Sequence, residues 1–200
     1  MKRIVLCFYA FLLLFAHVAA QAAILTYTTV MTGPKEAPPN DSAGIGTASL
    51  LIDDVAGTMA VLVNWTGLTG TTTIAHIHCC TALPLTGTAS PATVVPTFPD
   101  FPVGTTSGSY QRLLSLTEAA TYNPGFITAN GGTVAGARAA FLAGLASERA
   151  YFNIHTTAFG GGEIRGFFTP VPEPGGIALL AIGAAGLGFL RRRVYPAART

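Results

Sequence analysis

Short runs in which apolar and polar residues alternate dominate the chain between residues 24 and 170. Successive side chains of a strand point to opposite faces, so such runs predict half-buried strands. Met59, Val61, Val63 and Trp65 fall on one face and predict core positions. Turn residues such as Gly67 separate the runs. The predicted strands are 24–30, 46–52, 58–65, 72–78, 150–155 and 164–168.

One segment has a helical period instead. Residues 134–147 are rich in alanine, and Phe141, Leu142 and Leu145 supply an apolar stripe. Residues 81–132 are rich in proline and threonine and predict a long irregular region. The pattern as a whole predicts an all-β fold. We expect an antiparallel, Ig-like Greek-key β-sandwich with one short inserted helix.

The N-terminus has the three parts of a secretory signal. Met1-Lys2-Arg3 is basic, residues 4–15 are apolar, and residues 18–20 are small. This order predicts a signal peptide over 1–20, removed by signal peptidase after Ala20, with Ala23 as the alternative site. An uncleaved N-terminal anchor is the competing interpretation.

The C-terminus carries a second targeting pattern. Pro172, Glu173 and Pro174 precede an apolar run, 175–190, which three arginines follow. As a helix the run is about 24 Å long, somewhat short of the roughly 30 Å hydrocarbon core. We predict a transmembrane helix over 175–190, with the arginines on the cytoplasmic side. An ordinary tail anchor is the alternative.

The order of motif, apolar helix and basic cluster resembles the PEP-CTERM sorting signal of Gram-negative bacteria, over residues 171–193. The resemblance implies that an exosortase cuts at Pro172-Glu173-Pro174. The protein would then be anchored transiently in the inner membrane and released to the cell surface or the extracellular matrix. The cell envelope that this resemblance implies is rich in exopolysaccharide, so exopolysaccharide is a candidate partner.

The net charge changes sign when the two terminal targeting segments are excluded. The whole chain has a formal net charge of +2, but residues 24–170 contain five basic and eight acidic residues, a net charge of −3. There is no basic cluster for nucleic acid. The length of this region suits one domain and is too short for two.

Histidines form the main candidate for chemistry. His76 and His78 are two residues apart on a predicted strand and therefore point the same way. His155 shares a strand face with Tyr151 and Asn153. Three imidazoles suit copper or zinc and leave an open coordination position. The alternative is a structural role, with the rings hydrogen-bonded to loop carbonyls.

Two further pairs are candidates for structural roles. Cys79 and Cys80 are adjacent in an exported chain, which leaves three interpretations open: a vicinal disulfide, metal ligation beside His78, or a cross-link to a partner. Glu163 and Arg165 share a strand face and predict a structural ion pair.

The region 24–170 also resembles the CHRD domain, named after chordin. The resemblance rests on residues 32–39, on the turn 67–70 before His76-Ile77-His78, and on residues 151–156 and 162–166. It implies a β-sandwich module of secreted and surface proteins with no established enzymatic activity. Cys79-Cys80 is an addition to the motif.

A second resemblance concerns the His-x-His strand alone. A Gly-Leu turn before His76 and His78 is similar to the copper-binding strand of Cu/Zn superoxide dismutases. The other dismutase ligands have no counterpart between residues 24 and 170, which disfavours a two-metal dismutase.

The sequence lacks a nucleophile elbow, a phosphate loop and paired carboxylates. It therefore predicts a non-catalytic binding or structural module of the cell surface. The alternative is a metal-binding or redox protein centred on His76, His78 and His155.

Overall fold

The computed structural model describes residues 24–172. The predicted signal peptide, the apolar run 175–190, and Glu173 and Pro174 of the sorting motif lie outside the described residues. Among the helices that the structure does describe, none combines the length and the apolar character needed to cross a membrane.

The described part of the chain folds into one antiparallel sheet that curls into a half-barrel. The prediction of an all-β antiparallel fold is confirmed. In space the strands follow the order β4-β6-β7-β1-β2-β3-β5, and β8 pairs with β1. The strands are β1 (Ile24–Thr32), β2 (Ile45–Asp53), β3 (Thr58–Thr66), β4 (Thr72–Cys79), β5 (Gly108–Ser115), β6 (Ala150–Thr156), β7 (Ile164–Phe167) and β8 (Thr169–Pro170).

Strands β1, β2 and β3 form a continuous meander. The β2–β3 hairpin turns at Gly57, whose φ of +68° is a conformation that glycine adopts freely. Asp53 Oδ1 accepts hydrogen bonds from the backbone N–H groups of Val55 and Ala56 and closes the turn. The predicted core face of β3 is confirmed, because Met59, Val61, Val63 and Trp65 are all buried.

Strands β4, β6 and β7 form the other half of the sheet and are buried on both faces. Their inner faces supply Ala75, Ile77, Phe152, Ile154 and Ile164 to the hydrophobic core. Their outer faces are covered by loops instead of by a second sheet. A polar side chain on that outer face is therefore largely removed from water.

The region 81–132 is more ordered than its composition predicts. It contains β5 and a short helix, α1 (Pro124–Ala129). The predicted helix follows this region and is observed as α2 (Val134–Ala146). In β5 only Tyr110 and Leu114 are buried, so the alternation of apolar and polar residues is incomplete. Their burial depends on contacts with distant residues, which a local pattern does not report.

The segment before β5 joins the two halves of the sheet. Phe98 is fully buried, with ring centroids 5.9 Å from Tyr110 of β5 and 5.7 Å from Phe152 of β6. Its backbone N–H donates to the carbonyl of Ala75 on β4 over 3.0 Å. One side chain thus contacts strands from both sides of the half-barrel.

Candidate metal site

Three histidines meet on the outer face of β4 and β6. The strands are antiparallel neighbours, with His76 opposite Asn153 and His155 opposite Ile74, so the two-residue alternation of each strand brings the rings together. His76, His78 and His155 are 6%, 8% and 9% exposed. One ligand nitrogen from each ring lies within 4.8 Å of those of the other two. The structure thus places all three predicted ligands in one cluster.

Backbone carbonyls fix the protonation of all three rings. The Nδ1 atom of His76 lies 3.0 Å from the carbonyl oxygen of Pro96. For His78 the partner is Ala89 O at 2.7 Å, and for His155 it is Gly160 O at 2.9 Å. A carbonyl oxygen only accepts, so each Nδ1 carries the hydrogen. In a neutral ring the Nε2 atom is then a bare acceptor.

These bare Nε2 atoms have no donor to bind among the described residues. The Nε2 atoms of His76 and His155 face each other 3.2 Å apart, and that of His78 is buried with no hydrogen-bond partner. Converging lone pairs repel, and a buried acceptor without a partner is costly. A cation removes both costs. Ligand nitrogens of a tetrahedral zinc site, about 2.0–2.1 Å from the metal, lie about 3.3 Å from one another.

Burial keeps the imidazoles neutral. It lowers the pKa of His76 to about 4 and that of His78 to about 3, with the neighbouring His76 as the second cause for His78. Burial lowers the pKa of His155 as well. Neutral imidazole is the form that binds metal ions, so the site needs no deprotonation step near neutral pH.

The predicted ion pair between Glu163 and Arg165 is wrong. Arg165 faces Glu36, with 3.7 Å between its Nε and Glu36 Oε2. Glu163 lies just before β7, so the two-residue alternation of the strand does not include it. The carboxylate of Glu163 accepts hydrogen bonds from the hydroxyls of Ser42 and Thr156 and from the N–H groups of Thr69 and Gly70. Burial alone would raise the pKa of Glu163, but these four hydrogen bonds outweigh burial and hold the pKa below its usual value.

Cys79 and Cys80 form a vicinal disulfide in the structure. Both sulfur atoms pack against α2 at Gly144, where a Cβ would clash with them. Cys79 follows His78 directly along β4 and therefore points to the opposite face. The metal-ligand cluster of the described residues contains the three histidines and neither cysteine.

The sequence suggested loop carbonyls as partners of the histidine rings but did not identify which carbonyls they are. The carbonyls of Ala89, Pro96 and Gly160 come from loops, and every residue type has a carbonyl, so no sequence signal marks them. The sequence placed Tyr151 correctly on the strand face of His155 but indicated no function for it. In the structure its ring stacks on His78, with centroids 4.6 Å apart and planes 5° from parallel.

Comparison with known proteins gives two matches. A family model described as the CHRD domain matches residues 27–168. A model described as the PEP-CTERM protein-sorting motif matches residues 170–193. No curated protein and no solved structure matches the chain.

Proposed function

This chain belongs to the CHRD domain family, and we propose that its domain is an exported metal-binding module of the cell surface. The PEP-CTERM motif marks an exported protein that exosortase processes. The observation that carries the metal proposal is the set of converging, unprotonated Nε2 atoms of His76, His78 and His155. Each ring is held in that tautomer by a backbone carbonyl, as metal-ligating histidines commonly are.

The ligand set favours copper or zinc. Imidazole nitrogen suits both metals, whereas calcium and magnesium take oxygen ligands. Three protein ligands leave a fourth position for water or another small ligand, unlike the closed four-ligand sites of structural zinc. The disulfide removes Cys79 and Cys80 as thiolate ligands.

The route of the protein is the second part of the proposal. Signal peptidase removes residues 1–20, the helix 175–190 holds the chain briefly in the inner membrane, and exosortase acts at Pro172-Glu173-Pro174. Residues 24–170 then remain at the surface, beside exopolysaccharide. Their net charge of −3 supports neither a nucleic-acid partner nor an anionic lipid surface.

The first experiment measures metal content. The protein is expressed as the full chain without a histidine tag, purified from its host, loaded with copper or zinc, and dialysed. We expect about one equivalent of metal per chain in the wild type and a loss of that metal in His76→Ala. Less than about half an equivalent of metal per chain in the wild type would contradict the proposal.

Two variants complete this test. His155→Gln removes a second ligand while keeping a polar side chain, so a folding defect of His76→Ala alone does not decide the result. Glu118→Ala changes an exposed carboxylate outside the cluster and should retain the metal. A wild type without metal makes the domain a structural module, whose partners are then sought among polysaccharides and proteins.

A further inference from the structure

The carbonyl that orients His78 belongs to a loop with little packing of its own. Residues 82–88 are all exposed, and Ala89 is only half-buried. Yet Ala89 O lies 2.7 Å from His78 Nδ1, the shortest of the three contacts between a ring and a carbonyl. Hydrogen bonds must therefore hold this loop in place, because buried apolar side chains do not.

Tyr151 is the first of these anchors. It lies directly opposite His78 in the register of β4 and β6, which brings the two rings into a parallel stack. Its hydroxyl lies 3.3 Å from the backbone nitrogen of Ala89 and 3.3 Å from the carbonyl oxygen of Ala89. The same side chain thus contacts the ring of His78 and the residue that orients it.

Arg165 is the second anchor. Its Nη1 donates to the carbonyl of Gly87 over 3.1 Å, two residues before Ala89. Its Nε donates to the carbonyl of Lys35, and its guanidinium carbon lies 4.8 Å from the centre of the Tyr151 ring. Arg165 is buried on β7, so it fixes the exposed loop to the sheet.

From these contacts we infer that Tyr151 and Arg165 are positioning residues of the metal site, acting on His78 through the loop 87–89. The inference rests on the proposed metal binding. It assigns to each residue a role beyond stability, namely to keep the Nε2 atom of His78 aimed at the metal. Loss of such support around a metal ligand typically weakens binding about 10–100-fold.

The test uses Tyr151→Phe in the full chain. This change keeps the ring that stacks on His78 and removes only the hydroxyl that contacts Ala89. We expect the dissociation constant for zinc, measured by chelator competition, to rise about tenfold. We also expect a changed Cu(II) electron paramagnetic resonance spectrum, because the orientation of a ligand ring changes. A loss of stability alone would not alter that spectrum.

Tyr122→Phe is the matched control. Tyr122 is also buried, and its hydroxyl donates to the carbonyl of Leu116 over 3.0 Å, but neither residue belongs to the histidine cluster. This variant should keep the affinity and the spectrum of the wild type. Arg165→Lys, which keeps the charge and loses the planar fork, should weaken binding in the same direction as Tyr151→Phe.

The outcomes separate this inference from the proposed function. Metal binding by the wild type with an unchanged affinity and spectrum in Tyr151→Phe overturns the positioning role and leaves the metal site standing. Equal changes in Tyr151→Phe and Tyr122→Phe also overturn it, since the effect then follows general stability. A wild type that binds no metal overturns both proposals.

Discussion

At the scale of single residues, the outer face of β4, β6 and β7 concentrates buried polar groups. Glu36 Oε1 and Asn153 Oδ1 are both buried, and neither has a hydrogen-bond partner among the described residues. Arg165 links the histidine cluster to Glu36, because it contacts both the ring of Tyr151 and the carboxyl of Glu36. Protonation of this carboxyl therefore affects the stability of the face that carries the site.

The contribution of Glu36 to the stability of the domain should fall as pH rises. Burial raises the pKa of Glu36 to about 7 from its usual 4.5, against the opposing effects of Arg165 and the N–H of Ala37. The folded state thus prefers the neutral carboxyl. The stabilisation from that preference is complete below pH 4.5 and is lost as pH rises through about 7.

Glu36→Gln should remove this loss, because glutamine stays neutral. We expect the variant to gain up to about 3 kcal/mol relative to the wild type at alkaline pH. Urea unfolding of metal-free protein at several pH values between about 5 and 8 measures it. Glu118→Gln, which changes an exposed carboxyl, is the control. Identical pH slopes for Glu36→Gln and the wild type would contradict the prediction.

Sequence reasoning located the histidines of this face better than the contacts of its charged residues. The two-residue alternation places His76 and His78 on one face of β4, and the pairing of β4 with β6 brings His155 beside them. It failed for Glu163, which lies outside the strand, and gave no indication that Glu36 would pair with Arg165. That pair joins residues far apart in the chain, so only the folded topology reveals it.

At the scale of elements, the sequence predicted six of the eight described strands and missed β5 and the two-residue β8. The meander β1-β2-β3 has inner residues that are apolar at nearly every second position. In β5, polar Arg112 lies between the two buried residues. The segment before β5 helps to position this strand, because its buried Phe98 contacts both β5 and β6.

Phe98→Ala should therefore be among the more destabilising changes in the domain. The substitution removes a fully buried ring that contacts β5 and β6. We expect the free energy of unfolding to fall by about 3–5 kcal/mol. Denaturant unfolding measures the difference. Leu113→Ala truncates an exposed residue of β5 and should cost less than about 0.5 kcal/mol. A similar small cost for Phe98→Ala would show that this segment does not join the two halves.

At the scale of the whole molecule, the sorting motif follows the domain directly along the chain. β8 pairs with β1, and the N–H of Val171 donates to the carbonyl of Thr26 over 2.8 Å. The last described residues therefore leave the domain beside its first strand. The family matches divide at the same place, with the CHRD domain ending at residue 168 and the sorting motif beginning at residue 170.

Glu173→Ala should trap the protein in the inner membrane. Because the proposed cut depends on Pro172-Glu173-Pro174, the variant should keep its C-terminal apolar run and arginines. We expect a larger product that sediments with membranes, whereas the wild type appears in the surface or medium fraction. Immunoblots of fractionated cells measure both. The control is Glu118→Ala, because the carboxylate of Glu118 is exposed. Glu163→Gln would be unsuitable, because the carboxylate of Glu163 is buried. Equal size and location of Glu173→Ala and wild type would refute the proposed route.

The carbonyls that hold the histidine rings have a consequence for how this site can evolve. The backbone of residues 89, 96 and 160 supplies the three acceptors, and a main-chain oxygen is the same whichever amino acid carries it. Substitutions at these loop positions leave the acceptors intact as long as the loops keep their path. The residues that supply these three carbonyls can therefore change during evolution without loss of the hydrogen bonds to the rings. Selection then acts on the few side chains that hold the loops in their conformation.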